Sequence, residues 1–434
     1  MSSSPSAFGG AFAAAFASAL CFTCGCGGGQ TGDEQTGDAG SLLQELRGTA
    51  ARVVASGSLP NSASQDGWDF GWKFYHEEAR PDQNAFFSPY SISTALAMLV
   101  AGAGGETKSE IDSALSFSND DGPAFHEARN AVARALEARN HQGSESQQPQ
   151  ALRVSNDLWL ETQYRPAPAF LDTLSAYYGA GVFLAPFVSD PEASRRAINQ
   201  QVARETEQLI PEILPEGSID PLVRFVLTNA LYFKARWGNE FDKEQTRNEP
   251  FVSAAGTSTV PMMHATFETR YFAGPDYQAL ALPYFGNELE LVAIMPAEGS
   301  FEAYVSQLDA EGVSTAIGSL ATKNLALGFP KFELTSEVPL KERLQALGMR
   351  QAFQDDADFD QQLGPNIYIS DAFHQATLSL DEQGTEASAA TAEVGRDVSL
   401  PPPPIPVVFD HPFVFFIRDV QSNALLFVGH FAKP

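Results

Sequence analysis

The side chains that most often perform catalysis or bind metals occur here without the spacing that such chemistry requires. The seven histidines are His76, His126, His141, His264, His374, His411 and His430. None of them forms an H-E-x-x-H or other close ligand pair, and no G-x-S-x-G stretch offers a nucleophilic serine. The segment GAGGETKS (102–109) is similar to a phosphate-binding loop, but Thr107 stands where a glycine must precede the lysine. We therefore expect neither an enzyme nor a bound metal or cofactor.

A run of small side chains near the carboxyl end indicates a different kind of function. From Gly384 to Ala392 the sequence reads G-T-E-A-S-A-A-T-A, which neither anchors a core nor caps a helix. In a strand, Thr385, Ala387, Ala389 and Thr391 would share one face, and Glu386, Ser388, Ala390 and Ala392 the other. Each ladder hydrogen bond is worth about 1 kcal/mol net, so inserting such a strand would release on the order of 10 kcal/mol. The segment is interpreted as a strand held in reserve.

The charge balance excludes polyanionic partners. The chain has 27 Lys and Arg against 54 Asp and Glu, giving a net charge of −27. Such a surface repels phosphate backbones and anionic lipids, so nucleic acid is not an expected partner. The segment 118–150 is acidic and polar, and a heparin site is not expected there either.

The amino-terminal segment is typical of export. The first 32 residues carry no charge, and AFAAAFASALCFTC (11–24) has the length of a signal-peptide core, although no Lys or Arg precedes Arg47. Residues 1–26 are predicted to be a signal peptide or a lipoprotein signal. Plain cleavage and lipidation of Cys26 are the two alternatives, so the protein is expected outside the cell or in the cell envelope. A lipid anchor is the only membrane attachment expected.

The folded body is predicted to begin at Asp66. Residues 27–65 are rich in Gly, Ser, Thr and Asp and are predicted to be a flexible tether with one short helix at 41–55. Further helices are predicted at 67–79, 88–99, 106–115, 123–140, 191–209 and 338–347. Strands are predicted at 152–160 and 224–233, with hairpins at 277–296 and 412–431. Helices first and antiparallel strands later indicate the α+β class.

Five segments spread over the folded body resemble the serpin family. They are NAFFSPYSISTALAMLVAGAGGETKSEI, LTNALYFKARWGNEFDKEQT, PKFELTSEVPLKERLQALGM, HQATLSLDEQGTEASAATAEV and DHPFVFFIRD. Taken together they are highly specific, and the resemblance covers residues 66–434. It implies three β-sheets, a large central sheet A, eight to nine helices and an exposed reactive-centre loop at about 382–406.

The resemblance also implies a function. Serpins offer the loop as bait, a protease forms an acyl-enzyme with it, and the freed loop inserts into the central sheet before the ester is hydrolysed. We therefore expect a monomeric suicide-substrate inhibitor whose partner is a serine protease held in a covalent acyl complex.

Individual residues take their roles from the positions that they match. The hinge comprises Glu382, Gly384, Thr385, Glu386, Ala387, Ser388, Ala389, Ala390 and Thr391. The breach, where insertion starts, comprises Trp237 and Lys331, and Lys331 is expected to pair with Glu382. The shutter, a polar cluster beneath the opening sheet, comprises Ser88, Ser91, Asn229 and His374.

The scissile bond is predicted by counting from the hinge glutamate. In inhibitory serpins the residue before the scissile bond usually ends a seventeen-residue stretch that begins at this glutamate. The resemblance therefore implies a bond between Val398 and Ser399, which suits the shallow apolar pockets of elastase-like and subtilisin-like proteases. Cleavage between Arg396 and Asp397, by a trypsin-like protease, is the alternative. Glu393 departs from the family pattern, because it would point inward on insertion, where burial of a carboxylate is unfavourable.

Two other functions remain open at this point. One is a serpin that inhibits no protease and acts as a carrier or chaperone. Such members often have bulky residues or proline in the hinge, and none stands between Thr385 and Ala392. The other is inhibition of a papain-like cysteine protease by the same loop insertion.

Overall fold

The computed structural model describes residues 42–54, 59, 61–117, 122–140, 150–385 and 403–434. Its helices are α1 (Asn61–Glu78), α2 (Pro89–Val100), α3 (Gly105–Ala114), α4 (Pro123–Glu137), α5 (Pro168–Thr173), α6 (Pro191–Glu205), α7 (Phe301–Val305), α8 (Ala310–Ser319) and α9 (Leu340–Ala346). A π-helical turn at Leu174–Tyr178 extends α5, and a 3-10 turn lies at Gln351–Phe353. Helices α2, α4, α5 and α6 begin with proline, whose fixed φ suits the first helical turn.

The first sheet has seven strands in the described residues, and its order brings distant segments together. In spatial order they are β1 (Gln44–Leu46), β4 (Val182–Ala185), β3 (Ala151–Glu161), β5 (Phe225–Arg236), β13 (Gly384–Thr385), β12 (Asp371–Asp381) and β11 (Phe332–Pro339). Most neighbours are antiparallel, but β5 also pairs directly with β12 in parallel orientation.

The second sheet is a path of eight strands with a ninth, β6 (Asp242–Ser253), attached beside it. The path is β14 (Ile405–Val408), β10 (Ala321–Pro330), β7 (Gly256–Ala273), β8 (Tyr277–Pro283), β9 (Leu289–Pro296), β15 (Phe413–Asp419), β16 (Leu425–Phe431) and β2 (Ala85–Phe87). Two of the three predicted sheets are hydrogen-bonded into one, because the 18-residue β7 pairs with β6 and β10 and then continues alongside β8.

Apolar side chains pack on both faces of the central part of the first sheet. The inner face packs with α2 and the second sheet in two large apolar clusters, which contain Leu227 and Leu378 respectively. The outer face carries α6, whose Ile198 and Val202 pack in a third cluster with Val226 of β5. Helix α6 therefore lies over the centre of the sheet. The α+β prediction is confirmed, as are the two predicted strands and both hairpins.

The prediction of a flexible tether at 27–65 is wrong for residues 42–54, which we call the N-terminal strap. Its β1 pairs antiparallel with the edge strand β4, so the predicted helix at 41–55 is also wrong. Thr49 and Ala50 donate their backbone N–H groups to Asp172 at 2.7 and 3.1 Å, and Val53 donates to the Ala176 carbonyl at 2.8 Å. The strap is ordered because it meets the unpaired groups of a sheet edge and a helix end.

The start of the folded body also differs from the prediction, because α1 begins at Asn61 and not at 66 or 67. No helix in the described part of the chain is long and apolar enough to cross a membrane.

Candidate functional site: the gap between β5 and β12

The first sheet is closed at one end and divided at the other. Strands β5 and β12 pair directly over residues 226–231 and 371–376. We call this paired region the zipper. Beyond the zipper the two strands separate, and β13 lies between them, antiparallel to both. Thr385 stands opposite Leu380 of β12 and Ala235 of β5. The chain that leaves β12 therefore turns back into its own sheet.

A tight turn at Asp381–Gly384 makes this return. Asp381 accepts hydrogen bonds from the backbone N–H groups of Gln383 and Gly384 at 2.8 and 3.2 Å. Gly384 has φ +147°, and a Cβ atom there would lie 2.2 Å from the Ala235 carbonyl oxygen. A side chain would therefore clash with β5 in addition to the unfavourable backbone angle. Glycine at the hinge is required by the seated position of the chain.

Trp237 encloses the turn from the side of β5. Its indole N–H donates to the Asp381 carbonyl at 2.9 Å, and its backbone N–H donates to the Gln383 carbonyl at 2.8 Å. Its ring stacks on Tyr284 with the centroids 4.6 Å apart. The predicted breach tryptophan thus lies against the hinge and is almost fully buried.

Glu382 is held by two side chains at the top of the gap. Lys331 donates to its carboxylate at 2.9 Å, as predicted, and Thr246 donates to the other oxygen at 2.8 Å. Burial alone would raise the pKa of Glu382, but the hydrogen bonds from Lys331 and Thr246 outweigh burial and lower it. The carboxylate is therefore charged and satisfied, although only 4% of the residue is exposed. The sequence analysis did not identify Thr246.

The hydroxyl of Thr385 contacts a residue that the sequence analysis did not identify. Its Oγ1 atom lies 3.0 Å from the hydroxyl oxygen of Tyr284, and both side chains are buried. Tyr284 follows β8 of the second sheet, whereas Thr385 belongs to the first sheet. No local sequence pattern indicates this contact, because the two residues lie 101 positions apart.

The four predicted shutter residues meet beneath the zipper. The Ser88 backbone N–H donates to Nε2 of His374 at 3.1 Å, and the Asn229 amide donates to the Ser91 hydroxyl at 2.7 Å. Because Nε2 accepts, Nδ1 carries the proton and donates to the Asn229 oxygen. Asn156 of β3, which was not predicted, completes the cluster by accepting from the Ser91 hydroxyl at 3.0 Å.

The imidazole of His374 is neutral in this network. Burial lowers the pKa of His374 to about 3, and the bond to Asn229 only partly offsets that effect. His374 and Asn229 are also direct neighbours in the β12–β5 ladder. The polar cluster therefore joins the two strands at the point where the zipper is closed.

Several predicted residues lie outside the described part of the chain. They are Cys26, Glu386, Ala387, Ser388, Ala389, Ala390, Thr391, Glu393, Arg396, Asp397, Val398 and Ser399. The described chain resumes at Pro403, and β14 then pairs in parallel with β10.

Neither a metal centre nor a phosphate site is found in the described residues. They contain no group of three or more His, Cys, Asp or Glu side chains suited to a metal. At the GAGGETKS segment, Gly104 donates to the Asp358 carbonyl at 2.8 Å and Thr107 accepts from the Asp358 backbone at 2.9 Å. Asp358 of this chain therefore closes the start of α3.

Comparison with known proteins agrees with the geometry. The profile described as Serpin (serine protease inhibitor) matches residues 66–434. A serpin-like protein of Thermococcus kodakarensis is 36% identical over 84% of this chain and 84% of its own length. The leukocyte elastase inhibitor of Bos taurus is 34% identical over 82% of this chain and 95% of its own length.

Two solved structures share the fold. The native state of the thermophilic serpin Tengpin superposes with a TM-score of 0.79 at 27% identity, covering 90% of this chain and all of Tengpin. Human thyroxine-binding globulin in complex with its hormone gives a TM-score of 0.75 at 27% identity, covering 86% of this chain and 98% of the globulin. The divided sheet with the chain seated in it, together with the match over residues 66–434, shows that this protein belongs to the serpin family.

Proposed function

We propose that the protein is a suicide-substrate inhibitor of serine-type endopeptidases. The protease serine attacks the carbonyl carbon of Val398, the amine of Ser399 leaves, and an ester joins inhibitor and protease. The freed loop then inserts between β5 and β12 and carries the protease with it before water cleaves the ester. One observation carries the proposal: β13 already lies between these strands, antiparallel to both, as the first part of an inserted strand must.

The register of β13 indicates where the rest of the loop would fit. Continued without a shift, it sets Thr391 between Asn229 and His374, and residue 394 at the last closed pair of the zipper. Residues 386–388 would enter where β5 and β12 are already unpaired. Residues 389–394 would have to separate the six zipper pairs and the shutter cluster.

Side-chain size supports this insertion. On the inner face, Ala387 would stand between Phe233 and Leu378, which are buried in the second apolar cluster. On the outer face, Ala390 would stand beside Ala230, beneath the side chains of α6. A small residue is required at both places, because packed interiors tolerate little added volume.

The hydrogen bonds gained between strands favour insertion. The six parallel pairs between β5 and β12 would be lost, and the loop would form one antiparallel ladder with each of the two strands. At about 1 kcal/mol per hydrogen bond, together with buried methyl groups, the gain is on the order of 10 kcal/mol. We infer that the uncleaved protein is metastable and that cleavage releases this free energy.

The two candidate bonds imply different targets. Cleavage between Val398 and Ser399 suits elastase-like and subtilisin-like proteases, and the similarity to an elastase inhibitor supports that choice. Cleavage between Arg396 and Asp397 suits trypsin-like proteases. We further propose a monomer exported by residues 1–26, with Cys26 either removed or lipidated. The mass of the amino-terminal peptide of the protein purified from its source tests export and lipidation.

One experiment tests function and bond together. The protein without residues 1–26 is mixed with elastase, subtilisin and trypsin, and with papain as a cysteine protease. We expect a covalent complex that resists denaturant, together with a released peptide whose mass corresponds to residues 399–434. A peptide whose mass corresponds to residues 397–434 would show that the alternative bond is cleaved. Cleavage of the loop by every protease without any complex would contradict the inhibitor proposal.

A non-inhibitory function is favoured by one feature, Glu393. The continued register places this carboxylate between Leu227 and Ala372, which are buried and apolar. An unpaired carboxylate there opposes the last part of insertion. Glu393→Val should therefore raise the fraction of encounters that end in complex, and Glu393→Gln should raise it less. An unchanged fraction in both variants would remove Glu393 as an obstacle.

A further inference from the structure

The seated hinge is held by a hydrogen bond between the two sheets. The hydroxyl oxygens of Thr385 and Tyr284 lie 3.0 Å apart, and only 1% of Thr385 is exposed. Tyr284 itself is fully buried. Two hydroxyl groups in such surroundings need each other, because water does not reach either one.

Tyr284 is positioned by contacts that do not involve the loop. Its ring stacks on Trp237 at 4.6 Å and meets Phe233 edge to face at 5.0 Å. Its backbone N–H donates to the Leu289 carbonyl at 2.9 Å. None of these three contacts of Tyr284 is made by Thr385.

Thr385, by contrast, is held in the sheet by a very short strand. β13 has only two residues, Gly384 and Thr385, and each forms one pair with β5 and one with β12. A ladder this short contributes little, so a single side-chain hydrogen bond is a large share of what holds it.

We propose that Tyr284 is a positioning residue whose hydroxyl retains Thr385 in the sheet before cleavage, and so determines how much of the reactive loop is free. This inference deepens the proposed function and rests on it. While Thr385 is seated, Gly384 and Thr385 are paired with β5 and β12. When Thr385 leaves, the loop gains the hinge residues, each adding roughly 3.3 Å of reach for a protease.

A double-mutant cycle tests the retention directly. Amide hydrogen exchange is measured for peptides covering 382–385 in the variants Tyr284→Phe, Thr385→Val and the two combined. Each single variant leaves one hydroxyl buried without a partner, and we expect exchange to rise about tenfold. The combined variant loses the same single hydrogen bond, so exchange should rise no more than in either single variant, instead of about a hundredfold.

Two controls separate retention from general loosening. Thr385→Ser keeps the hydroxyl and should exchange like the wild type. Tyr271→Phe removes another tyrosine hydroxyl, which bonds Gln278 at 2.5 Å, and should leave 382–385 unchanged. Exchange in β15 and β16 reports the integrity of each variant. Thr385→Ser and Thr385→Val add almost no volume, so their comparison remains informative if Tyr284→Phe fails to fold.

The outcomes are distinct. Exchange that is unchanged in Thr385→Val, or single effects that multiply in the combined variant, would overturn the proposal. The measurement needs no protease. A protein that shows the cycle but traps no protease would refute the inhibitor function and leave the retention of Thr385 standing.

Discussion

His374 joins two central strands of the first sheet through a hydrogen bond from its neutral ring. Its ring accepts from Ser88 and donates to Asn229, so it must be neutral to make both bonds. The proposed insertion would separate His374 from Asn229, so this bond would have to be replaced. In the continued register Thr391 would lie between the two residues, with a hydroxyl that donates and accepts. The polar cluster can thus be satisfied before and after insertion.

The pH dependence of stability should reveal the neutral state of His374. Its pKa of about 3 lies below the usual 6.5, so its contribution is complete above pH 6.5 and is lost as the pH falls. Near pH 5 the loss is about 2 kcal/mol from this residue. His374→Gln should be less stable than wild type at pH 7.5 but should lose less on acidification, as measured by urea unfolding at both pH values.

His430 also contributes to the loss of stability in acid and must be allowed for in that measurement. Burial also lowers the pKa of His430, to about 4, so the His374→Gln variant should retain part of the acid sensitivity. Equal losses in wild type and variant between pH 7.5 and 5 would contradict a buried neutral imidazole at position 374.

Site residues that match a family pattern could be predicted from the sequence, whereas residues that join the site only through contacts between distant segments could not. Glu382 and Lys331 were paired by resemblance, and the structure joins them at 2.9 Å. Tyr284 and Asn156 escaped notice, because a tyrosine after a strand and an asparagine within one are ordinary in sequence. Their importance depends on partners more than 60 positions away.

At the scale of elements, the N-terminal strap depends on Asp172. This side chain accepts two backbone hydrogen bonds from Thr49 and Ala50. Asp172→Ala should lower the free energy of unfolding by about 1–2 kcal/mol and speed amide exchange over residues 48–53. Asp172→Asn retains an acceptor oxygen and should lose less. A strap that stays protected in Asp172→Ala would show that the β1–β4 pairing alone holds it.

The strap also shows why the tether prediction failed. Gly, Ser, Thr and Asp are common in linkers. Because β1 is only three residues long, it is too short to show the alternating pattern of a strand. Its order comes from the open edge of β4 and from Asp172, which lie far along the chain. Longer elements such as β3 and the β15–β16 hairpin are rich enough in apolar and β-forming residues to be predicted locally.

The contact of α6 with β3 contains a buried carboxylate whose protonation should affect stability. Burial, followed by the neighbouring Glu205, raises the pKa of Asp157 well above its usual value. A raised pKa means that stability is complete below about pH 3.8 and declines as the pH rises. Asp157→Asn should therefore stabilise the protein at pH 7–8, on the order of 1 kcal/mol, and have little effect near pH 4.

Thermal unfolding of that variant at the two pH values tests this. The Asn side chain can still accept from Ser155, which donates to Asp157 at 2.8 Å. Destabilisation of equal size at both pH values would mean that the carboxylate is needed as a charged group.

At the scale of the whole molecule, the proposed inhibition requires a folded state that is not the most stable arrangement of the chain. Two packed sheets enclose a large apolar core, and β5 and β12 pair directly with each other over six residues. In the proposed insertion, the pairing of β13 with β5 and β12 would fix the direction and the register of the inserted loop.

Heat resistance before and after cleavage of the loop tests this claim most directly. A protease that is used in trace amount and then removed is allowed to cut between residues 394 and 403, and unfolding is followed by calorimetry. We predict that the cut protein unfolds at least about 10 °C higher than the intact one, because a gain on the order of 10 kcal/mol becomes available. An unfolding temperature that is unchanged or lower after the cut would contradict it.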